Sequence, residues 1–142
     1  MLLVFAALPA VAPILRAGHY LAPADMIFGG YAWVCHQMPS RSWFLFGQQM
    51  AYCERNTAIY GAMAVCGLLW PRLRAFLPKP RFWMYSVACL PMALDGFSQL
   101  VGMRESNWEL RTLTGALFGA ACIWYGFPLL ERYLTYMRCQ LA

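Results

Sequence analysis

Three stretches of this chain are apolar for about the length a helix needs to cross a bilayer, roughly 20 residues at a rise of about 1.5 Å each. They are Ala51 to Trp70, Phe82 to Val101 and Leu110 to Leu130. The charged and amide residues inside them are few: Glu54, Arg55 and Asn56 near the start of the first, Asp95 and Gln99 in the second, Arg111 near the start of the third. A further run, Met1 to Leu15, is shorter and holds Pro9 and Pro13; it either reaches spanning length by borrowing residues up to Leu21 or is trimmed or shallow. It does not read as a secretory signal, because basic residues are missing ahead of the apolar run.

Of the 142 residues, 61% are hydrophobic and 12% charged, about half the charge of an ordinary soluble domain. One soluble core of this size cannot hide so much apolar surface, whereas a bilayer can solvate it. The expected fold is therefore all-α: a single membrane domain over residues 1–142, a four-helix bundle with spans at about 1–21, 51–70, 82–101 and 110–130. The net charge of +5 does not point to nucleic acid, because the basic residues flank apolar runs instead of clustering on a soluble face. The link PRLRAFLPKPR carries Arg72, Arg74, Lys79 and Arg81 with no acid, and the tail adds Arg132 and Arg138 against Glu131. The positive-inside tendency makes both cytoplasmic. The link GMRESNWELR mixes two Arg with two Glu and suits the opposite side. A multi-pass cell-membrane protein follows, with both termini cytoplasmic and residues 16–50 outside.

Local signals refine this plan. Pro71, Pro78 and Pro80 mark where a helix should stop around the cytoplasmic link. Ser106 followed by Glu109 fits a capping box, placing the start of the last helix near Asn107. Arg111 then shares a face with Asn107 and Thr114. Ala24 to Gln37 has helix-like content and reads as a short interfacial helix on the outer side, carrying Cys35, His36 and Gln37. Asp95 and Gln99 are one turn apart, just after the helix-bending Pro91. Asp95 sits roughly 10 Å deep, where a lone carboxylate costs about 2.5–3.5 kcal/mol, so it should face protein and find a partner. This topology brings Cys35, His36, Arg41, Cys53, Arg55, Asp95, Gln99, Arg104, Asn107 and Arg111 to one level at the outer end.

Those residues resemble a known family. Cys35-His36-Gln37 with Pro39, Arg41 and Ser42, then Cys53, Arg55, Thr57, Ile59 and Tyr60, are similar to its first block. Pro91, Asp95-Gly96, Gln99, Gly102, Arg104, Ser106, Asn107, Arg111, Thr114 and Gly115 are similar to its second. The family is the small multi-spanning membrane proteins designated domain of unknown function 2085, and the resemblance covers about Tyr31 to Gly119. It implies the architecture and singles out these residues, but it supplies no reaction. The family pattern has Asp or Cys where Asn56 stands and Gly where Ala58 stands, which weakens any proposal that needs an acid or ligand at position 56.

Two chemistries suit the residues. The first is a lipid-headgroup site for a phospholipid or isoprenoid phosphate entering from the outer leaflet. Arg41, Arg55, Arg104 and Arg111 supply forked contacts to phosphate, supported by Gln37, Ser42, Gln99 and Asn107. His36 acts there as acid or base, and Asp95 orients it or takes the proton. Against this, Glu54, Asp95, Glu105 and Glu109 can neutralise the four Arg in structural pairs. The second is metal or thiol chemistry at Cys35, His36 and Cys53, which are zinc-type ligands at a spacing that matches no established motif. The plain alternative is a Cys35–Cys53 disulfide facing an oxidising exterior, closing a loop of about twenty residues and worth about 3 kcal/mol. The residues leave the cofactor unknown.

The remaining features have plain readings. Cys66, Cys89 and Cys122 pack as small apolar residues, and Cys139 stays reduced in the cytoplasm. Gly115 and Gly119 permit close helix contact within the bundle more readily than in a dimer. His19 is a solvated interfacial residue, and Trp33, Trp43, Trp70, Trp83 and Trp108 fall near span ends. Hydrolase elbows, His-Glu-x-x-His and phosphate-cradling glycine loops are missing. Two functions remain. One is an intramembrane enzyme acting on a lipid headgroup. The other is a non-enzymatic subunit whose polar cluster pins the helices and presents a docking surface for lipid, quinone or a membrane-protein partner. A small transporter is disfavoured, since only one acid lies well inside a span.

Overall fold

Helix dominates the computed structural model, which describes residues 1–141. In chain order these are α1 (Leu2–Ala17), α2 (Leu21–Tyr31), a short 3-10 turn (Pro39–Arg41), β1 (Ser42–Leu45), β2 (Gln48–Cys53), α3 (Glu54–Leu73), α4 (Phe82–Leu100) and α5 (Trp108–Leu141). The chain is thus mostly helical but not all-α. Between α2 and α3 lies an antiparallel hairpin, with Phe44 opposite Gln49, Leu45 opposite Gln48, and an irregularity between Ser42 and Phe44. Its two-residue turn is Phe46-Gly47, with φ of 53° and 72°, the left-handed pair that matches strand twist.

The hairpin corrects two expectations. The helix before it ends at Tyr31, so Cys35-His36-Gln37 stands in the connecting turn and not on an interfacial helix. Pro39 disfavours helix in the residue before it, and Gln37 adopts a φ of 51°, which ends any helical continuation. Residues 51–53 belong to β2, so the second apolar run becomes helical only at Glu54. Helix ends also shift. α3 runs through Pro71 to Leu73; the bond lost is the one to the Gly67 carbonyl, in the final turn. α5 continues past Leu130 through Pro128, since its last turns remain rich in helix-forming residues. Its N-terminal cap is Asn107, whose Oδ1 accepts the Leu110 N–H at 3.1 Å, in place of the expected Ser106.

α5 lies between α3 and α4. The α3–α5 seam is made of small residues: a Cβ at Gly119 would fall 2.3 Å from the Ile59 carbonyl oxygen, and one at Gly115 2.7 Å from that of Arg55. The Gly-x-x-x-Gly pair therefore serves contact within the chain. On the other side, Tyr85 of α4 stacks on Tyr125 at 4.8 Å. Outward, Val87, Leu90, Leu94 and Phe97 form an exposed apolar stripe along α4, and Leu113 and Leu117 are exposed on α5. Trp108–Gln140 is long and apolar enough to cross a membrane, and it is the one helix among the described residues that meets that measure.

α1 and α2 fold back on each other beside the hairpin. Arg16 bonds Asp25 at 2.8 Å and covers the Phe28 ring at 4.0 Å, while the Tyr31 hydroxyl donates to the Phe5 carbonyl at 2.9 Å. Phe5, Tyr31, Tyr52 and Tyr60 pack ring to ring where α1, α2, β2 and α3 converge. Gly119→Ala should lower unfolding stability in detergent by about 1–3 kcal/mol, because the backbone of Ile59 has no room to retreat. A thermal melt beside Gly126→Ala, where no neighbour lies within 4 Å, separates this clash from the general effect of adding a methyl group.

Candidate functional site

The first turn of α3 carries two adjacent charges that fasten two other helices. Glu54 accepts from Arg111 of α5, Nη1 to Oε2 at 3.0 Å, with both side chains about a tenth exposed at 10% and 11%. Arg55 donates to Asp95 of α4. Asp95 is 3% exposed and has further partners: Arg104 Nη2 at 3.2 Å and Gln99 Nε2 at 3.1 Å. So the deep carboxylate faces protein and is bound by two guanidinium groups and an amide. Glu54 is also well placed for the helix dipole, being an acid in the first turn.

The wall opposite is the turn after α2. Gln37 is its keystone: Nε2 donates to the Phe28 and Ala51 carbonyls at 2.8 and 3.2 Å, and its own carbonyl accepts from Gln49 at 2.6 Å. Ser42 donates to Met38 O at 2.9 Å, and Asn56 Nδ2 donates to Val34 O at 3.0 Å. These ties hold residues 34–42 against β2 and the start of α3.

Between the two walls is a cavity of about 480 Å³. Its polar lining comes from Cys35, His36, Gln37, Arg41, Cys53, Arg55, Asn56, Gln99 and Arg111, with no carboxylate among the lining residues. Glu54 and Asp95 hold the Nη groups of Arg111 and Arg55, and the Nε atoms of both arginines are buried without a hydrogen-bond partner. Arg41 takes part in no ion pair among the described residues.

The candidates therefore divide. His36, Gln37, Arg41, Arg55, Gln99 and Arg111 meet at the cavity, with Cys35 and Cys53. Asp95 stands behind it, bonded to Arg55 and not to His36. Arg104 approaches Asp95 from the other side, beside a second cavity. Ser42 and Asn107 are spent on the local turn and the helix cap. Glu105 and Glu109 pair with no arginine among the described residues. Met92 and Asn56 also line the cavity; Met92 lies three residues before Asp95 and so on its face, a signal present in the helical spacing.

Cys35 and Cys53 are free thiols in contact. The Cys53 N–H donates to Cys35 Sγ at 3.1 Å. The hydrogen bond from the Cys53 thiol, outweighing burial, holds the Cys35 thiol down to about 6. Cys53 is pushed well up, first by acting as that donor and then by burial. Among the described residues no three His, Cys, Asp or Glu side chains converge as a metal-ligand group.

A helix of bilayer length, apolar stripes facing outward and charges secured by one another are the marks of a small helical membrane protein. The chain belongs to the family described as predicted membrane protein, domain of unknown function 2085, whose model matches residues 35–125. It is 39% identical over 105 residues to an uncharacterised protein of Methanocaldococcus jannaschii, covering 72% of this chain and 67% of that one. It is 34% identical over 95 residues to an uncharacterised protein of Methanothermobacter thermautotrophicus, covering 63% and 81% respectively. No solved structure matches the chain.

Asp95→Asn leaves Arg55 with no counter-charge, and should cost about 3–5 kcal/mol in stability, as breaking a buried pair does. Arg104→Gln, on a side chain half exposed, should cost no more than about 1 kcal/mol. Denaturant titration of both variants checks the order, and equal losses would contradict it.

Proposed function

We propose that this is a single-domain, multi-pass membrane protein whose cationic cavity binds the phosphate of a lipid headgroup, in a phospholipid or an isoprenoid phosphate. In this reading α1, α3, α4 and α5 cross the bilayer, both termini are cytoplasmic, and the cavity opens at the outer leaflet. The acid-free link 71–81 and the mixed link 102–111 support that orientation.

One observation carries the proposal. Three arginines and a histidine line a cavity with no carboxylate in its wall. Guanidinium and imidazole donors that converge without an anion suit a phosphate, which supplies acceptors and charge together. An apolar cavity of about 340 Å³, lined by Cys66, Leu73, Ala88, Leu117 and Ala121 among others, lies further along the same helices and suits an acyl or prenyl chain.

If headgroup chemistry follows binding, His36 is the proton handler, being exposed to the cavity. Asp95 then serves by holding Arg55, since its oxygens are already taken. The same engagement of Asp95 and Glu54 favours a second reading: a non-enzymatic subunit in which the ion pairs pin the helices and the cavity docks lipid or quinone.

Arg41→Gln is the cleanest test, because Arg41 belongs to no ion pair among the described residues. Native mass spectrometry from mild detergent should show the wild type retaining phosphate-bearing lipid over diacylglycerol. The variant should retain it about tenfold or more weakly, the scale of a charge-assisted bond, with an unchanged melting temperature. Equal retention of charged and uncharged lipid would overturn the proposal. His36→Ala should change stability by less than about 0.5 kcal/mol. If headgroup turnover is also lost while lipid is retained, the protein is an enzyme; a variant indistinguishable from wild type leaves the subunit reading.

A further inference from the structure

We propose that Cys35 and Cys53 form a redox-active dithiol, which exchanges electrons with an anionic disulfide admitted to the cationic cavity. The reacting atoms are the two sulfurs, which take no part in the lipid reading, although the same arginines line the cavity in both.

The two sulfurs come from separate elements, the turn after α2 and the residue that caps α3, and both line the cavity. Their approach does not depend on a bond between them. Asn56 to Val34 at 3.0 Å, Gln37 to Ala51 at 3.2 Å and Gln49 to Gln37 at 2.6 Å clamp the two segments together independently. Around Cys35 Sγ the donors converge: the Cys53 N–H at 3.1 Å, the Cys53 thiol, the Gln37 N–H and the Asn56 side chain. The sulfur also sits at the positive end of α3, where a thiolate is favoured.

The groups facing the pair reinforce this. On the protein side are Tyr31, Tyr52 and Tyr60; on the cavity side are His36, Arg41, Arg55 and Arg111. No carboxylate lines the cavity to oppose the thiolate. One sulfur is thus held as an anion near neutral pH, while its neighbour keeps its proton and donates it. That division suits an attacking thiolate and a resolving thiol.

The exchange balances. The Cys35 thiolate attacks one sulfur of the incoming disulfide, forming a mixed disulfide and expelling the other half as a thiolate, which takes the Cys53 proton. Cys53, now a thiolate, attacks Cys35 Sγ, closes the Cys35–Cys53 disulfide and releases the second half as a thiolate. Two electrons pass from the dithiol to the substrate, and the reverse sequence reduces the protein again.

The test uses the full chain in nanodiscs, reacted with dithiobis(nitrobenzoate), an anionic disulfide, and with cystamine, a cationic one, followed by peptide mass mapping. The wild type should end with a Cys35–Cys53 disulfide, and Cys53→Ser should stop at a mixed disulfide on Cys35. At pH 6 the anionic probe should react at Cys35 about tenfold faster than with N-acetylcysteine, from the larger thiolate fraction less its weaker nucleophilicity, and this ratio to the reference thiol should exceed the same ratio measured with cystamine, which cancels the difference in leaving group. A mixed disulfide persisting in the wild type would overturn the proposal, as would Cys35 slower than the reference or a larger ratio for cystamine. A Cys35–Cys53 bond that resists millimolar dithiothreitol would also overturn it, by showing a purely structural crosslink.

Discussion

Adjacent opposite charges at the start of α3 govern how the helices meet. Glu54 reaches Arg111 on α5 and Arg55 reaches Asp95 on α4, so one helical turn fixes the rotation of two neighbours. In a low-dielectric surrounding neither partner tolerates solitude, and the helices must arrive with these side chains in register. The glycine seam between α3 and α5 permits it: with Gly115 and Gly119 facing Arg55 and Ile59, the backbones approach closely enough for short contacts between charged side chains.

The same pairs shape the cavity. Each acid engages Nη atoms, leaving the Nε of Arg55 and Arg111 buried without partners. Asp95 is shared by Arg55 and Arg104, and Arg41 enters no ion pair among the described residues, so four arginines at this end meet only two carboxylates that pair with them. The facing wall is held by amides, chiefly Gln37 and Gln49, whose bonds are all to protein. Cationic and amide walls leave the two cysteines between them, which explains why Cys, His, Gln and Arg crowd together in an otherwise apolar chain.

Much of this was legible in the residues. Hydrophobic run lengths placed α3, α4 and the start of α5 to within a few residues but stopped α5 at Leu130, well short of Leu141, and the cost of an isolated Asp95 required a protein partner. The hairpin was not legible, because its turn is Phe-Gly in place of the Asn-Gly or Asp-Gly pattern that marks such turns, and its strands blend into apolar flanks. Nor was the pairing scheme. Four acids and four arginines at one level admit many matchings, and Glu105 and Glu109 were as eligible as Glu54 and Asp95. His36 and Asp95 looked like partners by residue type, yet the carboxylate faces α3.

By itself the sequence determined that this chain is mostly helical, that its exterior is apolar, and that the polar residues of positions 35–56 and 95–111 gather at one end, since transfer energies and helical rise act residue by residue. Only the tertiary structure decided which guanidinium each carboxylate holds, which arginines line the cavity, and that Cys35 Sγ accepts from the Cys53 N–H at the start of α3. Those outcomes depend on helix rotation and on a reversed chain segment. Both are set by contacts between residues far apart in the chain, which no local pattern encodes.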